Sequence, residues 1–234
     1  MMIVSVKAET AGAMHWLDNL HRRQIPFATA LALTRTAQAA KREVHAEMLR
    51  AFDRPTPFTL NSLQVVPATK HTLHAEVKFR EFASKGTAAG KYLKPQVFGG
   101  PRDAKRFEKN LRHAGALPPG KFIVPGRDAR LNQYGGQMPS EIVRILSALR
   151  AMPDPLQNRG RKRKKAVDYR IVRRGTMPVA IMRTGSARGI VMAFVRQPSY
   201  RKRFRFFETI TSVVRTQYER IFRATLDHAI RSTR

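Results

Sequence analysis

The sequence has no cysteine, a single tryptophan and only 16 acidic residues against 45 Lys plus Arg in 234 positions. Without cysteine there is no disulfide framework and no thiolate metal site, and an intracellular origin is permitted. No stretch approaches the roughly 20 apolar residues of a membrane span, and Met1 to Glu9 lacks the basic and apolar regions of a signal peptide. A soluble chain is therefore expected. The shortage of acid is the largest imbalance: 45 − 16 leaves a formal charge of +29. Self-repulsion on that scale points to a polyanion or an acidic protein as partner. Aromatics make up only 8% of the residues, which argues against a single-strand binder built on stacking.

Catalytic signatures are missing as well. The seven histidines include no two at metal-ligand spacing on one helix face, so no metal site is expected. Gly86-Thr87-Ala88-Ala89-Gly90-Lys91 is one residue short of a phosphate loop and continues with Tyr92 where a magnesium-binding hydroxyl is required. A nucleophile elbow is absent, since Gly185-Ser186 lacks the spacing. The expectation is a non-enzymatic protein with no cofactor.

The longest segment of agreeing helix signals runs from Pro26 to Phe52. Phe27, Ala30, Leu31, Thr34, Ala37, Val44, Met48 and Phe52 recur at spacings near three and four, opposite a face carrying Arg35, Lys41, Arg42, Glu43, Glu47 and Arg50. Pro26 suits a first turn, and Asp53, Pro55 and Pro57 end the run. Ahead of it, residues 2–7 read as a short strand and 11–21 as a short helix. After it, Leu60 to Val66 and Thr72 to Phe82 alternate as a hairpin joined through Pro67 to His71.

From Ser84 to Lys165 the texture changes. Nine of the 14 glycines lie between Gly86 and Gly136, and six prolines between Pro95 and Pro139. This punctuation predicts an extended arm with two short helices, Asp103 to His113 and Ser140 to Met152. The arm ends in Arg159, Arg161, Lys162, Arg163, Lys164 and Lys165, six cations in seven residues, which should be solvated or bound to an anion. Val167 to Val172, Val179 to Met182 and Ile190 to Val195 then read as an antiparallel meander. A closing helix over Tyr200 to Ile230 has Phe204, Phe207, Ile210, Val214, Tyr218 and Ile221 as its stripe. Arg201, Lys202, Arg203 and Arg205 crowd its expected first turn, where cations oppose the helix dipole and hint at an anionic partner. The fold class expected is α+β: a mainly antiparallel sheet packed by the two long helices, with residues 1–83 and 166–234 as core and 84–165 as arm. Two function classes fit, a structural assembly protein and a basic nucleic-acid-binding protein.

The element order, together with Ile25-Pro26-Phe27-Ala28-Thr29-Ala30-Leu31-Ala32-Leu33-Thr34-Arg35-Thr36-Ala37, resembles the tail-completion and minor tail proteins of long-tailed bacteriophages, the lambda minor tail protein Z type and its smaller relatives. Ala32 to Ala37 matches the segment that opens their long helix. Tyr92 to Gly100 resembles an aromatic and Phe-Gly turn of the smaller relatives, so Tyr92, Phe98, Gly99 and Gly100 become assembly candidates. The resemblance covers residues 1–100 and 190–234. It implies a virion component at the tail or head–tail junction, a ring subunit contacting tail-tube, connector or neck proteins; the charge of +29 adds DNA as a further candidate contact. It also implies location in the virion, and in the host cytoplasm during assembly, with no catalytic residues.

Overall fold

The computed structural model describes residues 20–83, 86–158 and 168–231. The expected first strand, most of the first short helix and the basic run 159–165 lie outside them. The α+β class is as expected: two long helices pack on each other, and the strand pairings are antiparallel. The chain divides into two compact units, one of residues 1–52, 57–90 and 204–234, the other of 53–56 and 91–203.

In the first unit a π-helical turn, Leu20–Gln24, leads into α1, Ile25–Ala51. A single turn, α2 (Pro57–Leu60), precedes the hairpin of β1 (Leu63–Val66) and β2 (Glu76–Phe79). The face that α1 buries is smaller-grained than its sequence stripe: Ala28, Ala32, Thr36, Ala39 and Ala40 join Ala30, Ala37, Val44 and Met48, while Phe27 is exposed. Alanine side chains lose little entropy and allow the close approach of a second helix, so contact with a neighbour selects them over the bulkier Phe27. The hydroxyl of Thr36, buried in this face, donates to the Ala32 carbonyl at 2.8 Å, so it brings no unpaired donor into the interface.

The hairpin departs from expectation at both ends. Leu60 belongs to α2, held by the Asn61 N–H donating to the Pro57 carbonyl. The second strand begins only at Glu76, because Thr69 and Thr72 bond to each other and close the preceding segment into a turn. Leu73, ahead of this strand, is 49% exposed.

Between the hairpin and the sheet of the second unit the chain forms α3 (Ala89–Phe98), β3 (Gly100–Pro101), α4 (Arg106–His113) and β4 (Phe122–Pro125). Then follow α5 (Pro139–Ala148), β5 (Tyr169–Arg174), β6 (Met177–Arg183), β7 (Gly189–Val195) and β8 (Ser199–Tyr200). The expected meander is present, but β4 from the expected arm joins it in the order β4-β7-β6-β5. One face of this sheet, with Ile123, Ile181, Met192 and Tyr169, packs with Leu111, Leu117, Ile145 and Leu146 into a core. Residues 91–158 of the expected arm therefore have a core, and the meander groups with them rather than with the long helices. One of their glycines serves a tight approach. A Cβ on Gly126 would stand 2.2 Å from the Ile190 carbonyl oxygen, where the two backbones run together. Gly126→Ala is expected to cost about 1 to 3 kcal/mol through forced separation of this backbone pair, measurable by urea denaturation.

The chain returns to the first unit with α6, Phe206–Arg231. The helix starts later than its sequence pattern, so Arg201, Lys202 and Arg203 precede its first turn, Arg205 stands directly ahead of it with its carbonyl accepting from the Thr209 N–H, and the first turn itself holds Glu208. The buried stripe is rotated by one residue: Phe206, Val213, Thr225 and Ala229 are buried, while Phe207 and Val214 are about half exposed. Ala39 and Ala40 of α1 meet Val213, with Val77 and Ile210 packed alongside.

Candidate functional site

Two cationic surfaces emerge, one in each unit. In the first unit, helical spacing brings Gln38, Lys41, Arg42 and His45 to one side of α1. They form one wall of a groove of about 610 Å³. Leu63, Gln64 and Val65 of β1 and Arg80, just past β2, complete it. Arg80 is fixed there by its N–H donating to the Ser62 carbonyl at 2.8 Å, which continues the hairpin ladder by one pair. Among the described residues no carboxylate lines the groove, so Lys41, Arg42 and Arg80 raise one local positive potential. Glutamines beside them add neutral donors of the kind that contact phosphate or carboxylate oxygens. Sequence reasoning places Lys41 and Arg42 on the charged face of the helix but misses the groove. The 38, 41, 42, 45 spacing is the available signal; Arg80 comes from a tertiary contact.

In the second unit, residues 96–102 run antiparallel to 197–203. Gly100 pairs with Tyr200 and Pro101 with Ser199. The Arg203 N–H donates to the Gln96 carbonyl at 3.0 Å and its guanidinium to Gln96 Oε1 at 2.7 Å. Gly99 and Gly100 have φ of +78° and +93°, which L side chains rarely adopt, and this lets the chain turn out of α3 into the ribbon. The ribbon unites two groups of residues singled out in the sequence: Phe98, Gly99 and Gly100 lie against Arg201, Lys202 and Arg203, with Tyr92 on the preceding helix. Tyr92, Phe98, Arg201, Lys202 and Arg203 are exposed. Arg205 belongs to the first unit and is exposed ahead of α6. Arg159, Arg161, Lys162, Arg163, Lys164 and Lys165 fall outside the described residues.

The buried charges of the second unit have a different character. Glu108, fully buried, accepts from Arg102 at 2.7 and 2.9 Å, from the Ile123 N–H at 2.7 Å and from the Lys105 N–H at 2.6 Å. Burial alone would raise the pKa of this carboxyl; the Arg102 guanidinium and the two backbone N–H groups outweigh it and hold the group below its ordinary value. Arg102 also donates to the Ile123 carbonyl at 3.0 Å. The pair thus takes both outward-facing backbone groups of Ile123 and closes the β4 edge of the sheet. A second cluster joins Arg183 to Glu141 at 2.8 Å, with the Tyr169 hydroxyl donating to the same oxygen at 3.4 Å. Burial first, and then the Glu141 charge, hold the Tyr169 phenol above its usual value. The Arg183 guanidinium further donates to the carbonyls of Ala187 and Asp128. These ion pairs tie loops to the sheet.

Among the described residues no three His, Cys, Asp or Glu side chains group as a metal site, and no helix is long and apolar enough to cross a membrane. No family model, curated protein or solved structure matches the chain.

Proposed function

We propose that the protein is a non-enzymatic structural component of a tailed-phage particle, a tail-completion or minor tail subunit that assembles as a ring on other virion proteins. The reading rests on the resemblance of residues 1–100 and 190–234 to that family. The observation that carries it furthest is the ribbon, which presents exposed Tyr92 and Phe98 beside Arg201, Lys202 and Arg203. An aromatic and arginine-rich exposed patch is the composition favoured at the centre of protein interfaces. Negative-stain imaging and sedimentation of the purified chain test it. Closed rings, alone or with tail-tube or neck proteins, are expected; a monomer under all these conditions overturns the reading.

The groove of Lys41, Arg42, His45 and Arg80 favours a second reading, contact with nucleic acid. Replacing Lys41, Arg42 and Arg80 by Gln should shift folding stability by less than about 0.5 kcal/mol each, since these are surface changes. On this reading the same variant lowers the slope of log affinity for duplex DNA against log salt by roughly 0.9 for each phosphate that is no longer neutralised. Affinity and slope equal to those of the unaltered protein eliminate the groove as a DNA site.

A further inference from the structure

The two edges of the four-stranded sheet are treated differently. At β4, the Glu108–Arg102 pair occupies the ladder positions that a further strand would use. At β5, no side chain among the described residues does so beyond its first residue. Asp168 gives its carbonyl to the Thr184 N–H at 2.8 Å, and alternation then turns Arg170 and Val172 toward β6 and Tyr169, Ile171 and Arg173 outward. The Tyr169 N–H is taken by the Asp168 carboxylate at 3.0 Å. Among the described residues, no partner takes the outward backbone groups of Ile171 and Arg173. Arg170, Arg173 and Arg174 stand exposed along the same strand.

We infer that the β5 edge is a docking site for an extended acidic segment of a partner protein, which adds to the sheet as a fifth strand. Backbone bonds to Ile171 and Arg173 provide the attachment, and carboxylates set against Arg170 and Arg174, which share one face of the strand, provide the selectivity. A second copy of this chain is the wrong occupant: pairing β5 with β5 brings three arginines of each copy into one short ladder, and like charges opposed across strands repel. The arginines that protect the edge from self-association are those that admit an acidic strand. This inference is independent of the proposed phage role.

The probe is a labelled peptide of about ten residues alternating valine and glutamate, the length of a long strand, titrated into the full chain by fluorescence anisotropy. Arg170→Glu with Arg174→Glu is expected to weaken binding about tenfold or more through reversed cross-strand pairs. N-methylation of alternate peptide amides, which leaves the protein untouched, is expected to weaken it by a similar factor by deleting backbone donors. A methylated peptide that binds as well as its parent overturns strand addition, and so does unchanged binding by the charge-reversed protein. Displacement of the peptide by oligothymidylate, whose own affinity falls equally in the reversed protein, overturns it in favour of a general polyanion site.

Discussion

Glu108→Ala is expected to destabilise the second unit by about 3 to 5 kcal/mol, because removal of one partner strands the other charge in a desolvated site. Arg102 would lose both carboxylate bonds while its side chain remains only 12% exposed, and the N–H groups of Ile123 and Lys105 would lose their acceptor. The loss is a large share of a domain margin of roughly 5 to 15 kcal/mol. Glu108→Gln keeps the shape and one carbonyl acceptor and should fall between. The acid limb supplies a second signature. The folded carboxyl is held below its ordinary value, so its stabilisation is fully present above the unfolded glutamate value of about 4.3 and is lost as pH falls through the lower folded value. Urea titrations over this range should show the unaltered protein losing stability on acidification more steeply than Glu108→Gln. Parallel curves would mean that Glu108 contributes shape and no charge.

That carboxylate also marks where reading the sequence stops. Glu108 follows Lys105 at the spacing by which a third-position glutamate reaches back to the residue capping a helix, so its bond to the Lys105 N–H is legible locally. Its bonds to Arg102 and Ile123 depend on how the loop before α4 returns to β4. The Arg183–Glu141 pair spans 42 positions and leaves no local trace. Long periodic segments are legible for the opposite reason. Helix α1 announces itself over 27 residues, and the strands β5, β6 and β7 by β-rich composition, continuous and apolar in β7, and by Gly175 and Gly185, both at positive φ in the turns. Helix α3 is not legible, since Pro95 inside it removes a donor and costs about 3 kcal/mol in a helix interior. Burial of Leu93, Pro95 and Val97 offsets that cost, and burial is a tertiary fact. The domain division eludes the sequence for a related reason: dense glycine and proline suggest a stretch without a core, whereas β4 needs only four residues to join a sheet.

The start of α6 yields the second large effect, at Phe204→Ala. Phe204 lies ahead of the helix and is completely buried, its ring 5.2 Å from that of Phe52, 5.9 Å from Phe206 and 6.4 Å from Phe79. Truncation there should cost about 3 to 5 kcal/mol, combining lost transfer energy with a cavity between aromatic neighbours that cannot collapse easily. Sequence periodicity favours Phe207 for this role. Its side chain is 52% exposed, and its ring meets the Phe206 ring edge-on with centroids 5.2 Å apart. Phe207→Ala should therefore cost about 1 kcal/mol or less, since roughly half its apolar surface already faces water. The contrast tests the rotation of the helix directly. Denaturation midpoints for Phe204→Ala and Phe207→Ala should differ widely; equal losses would put both rings in the core and restore the stripe that the sequence pattern favours.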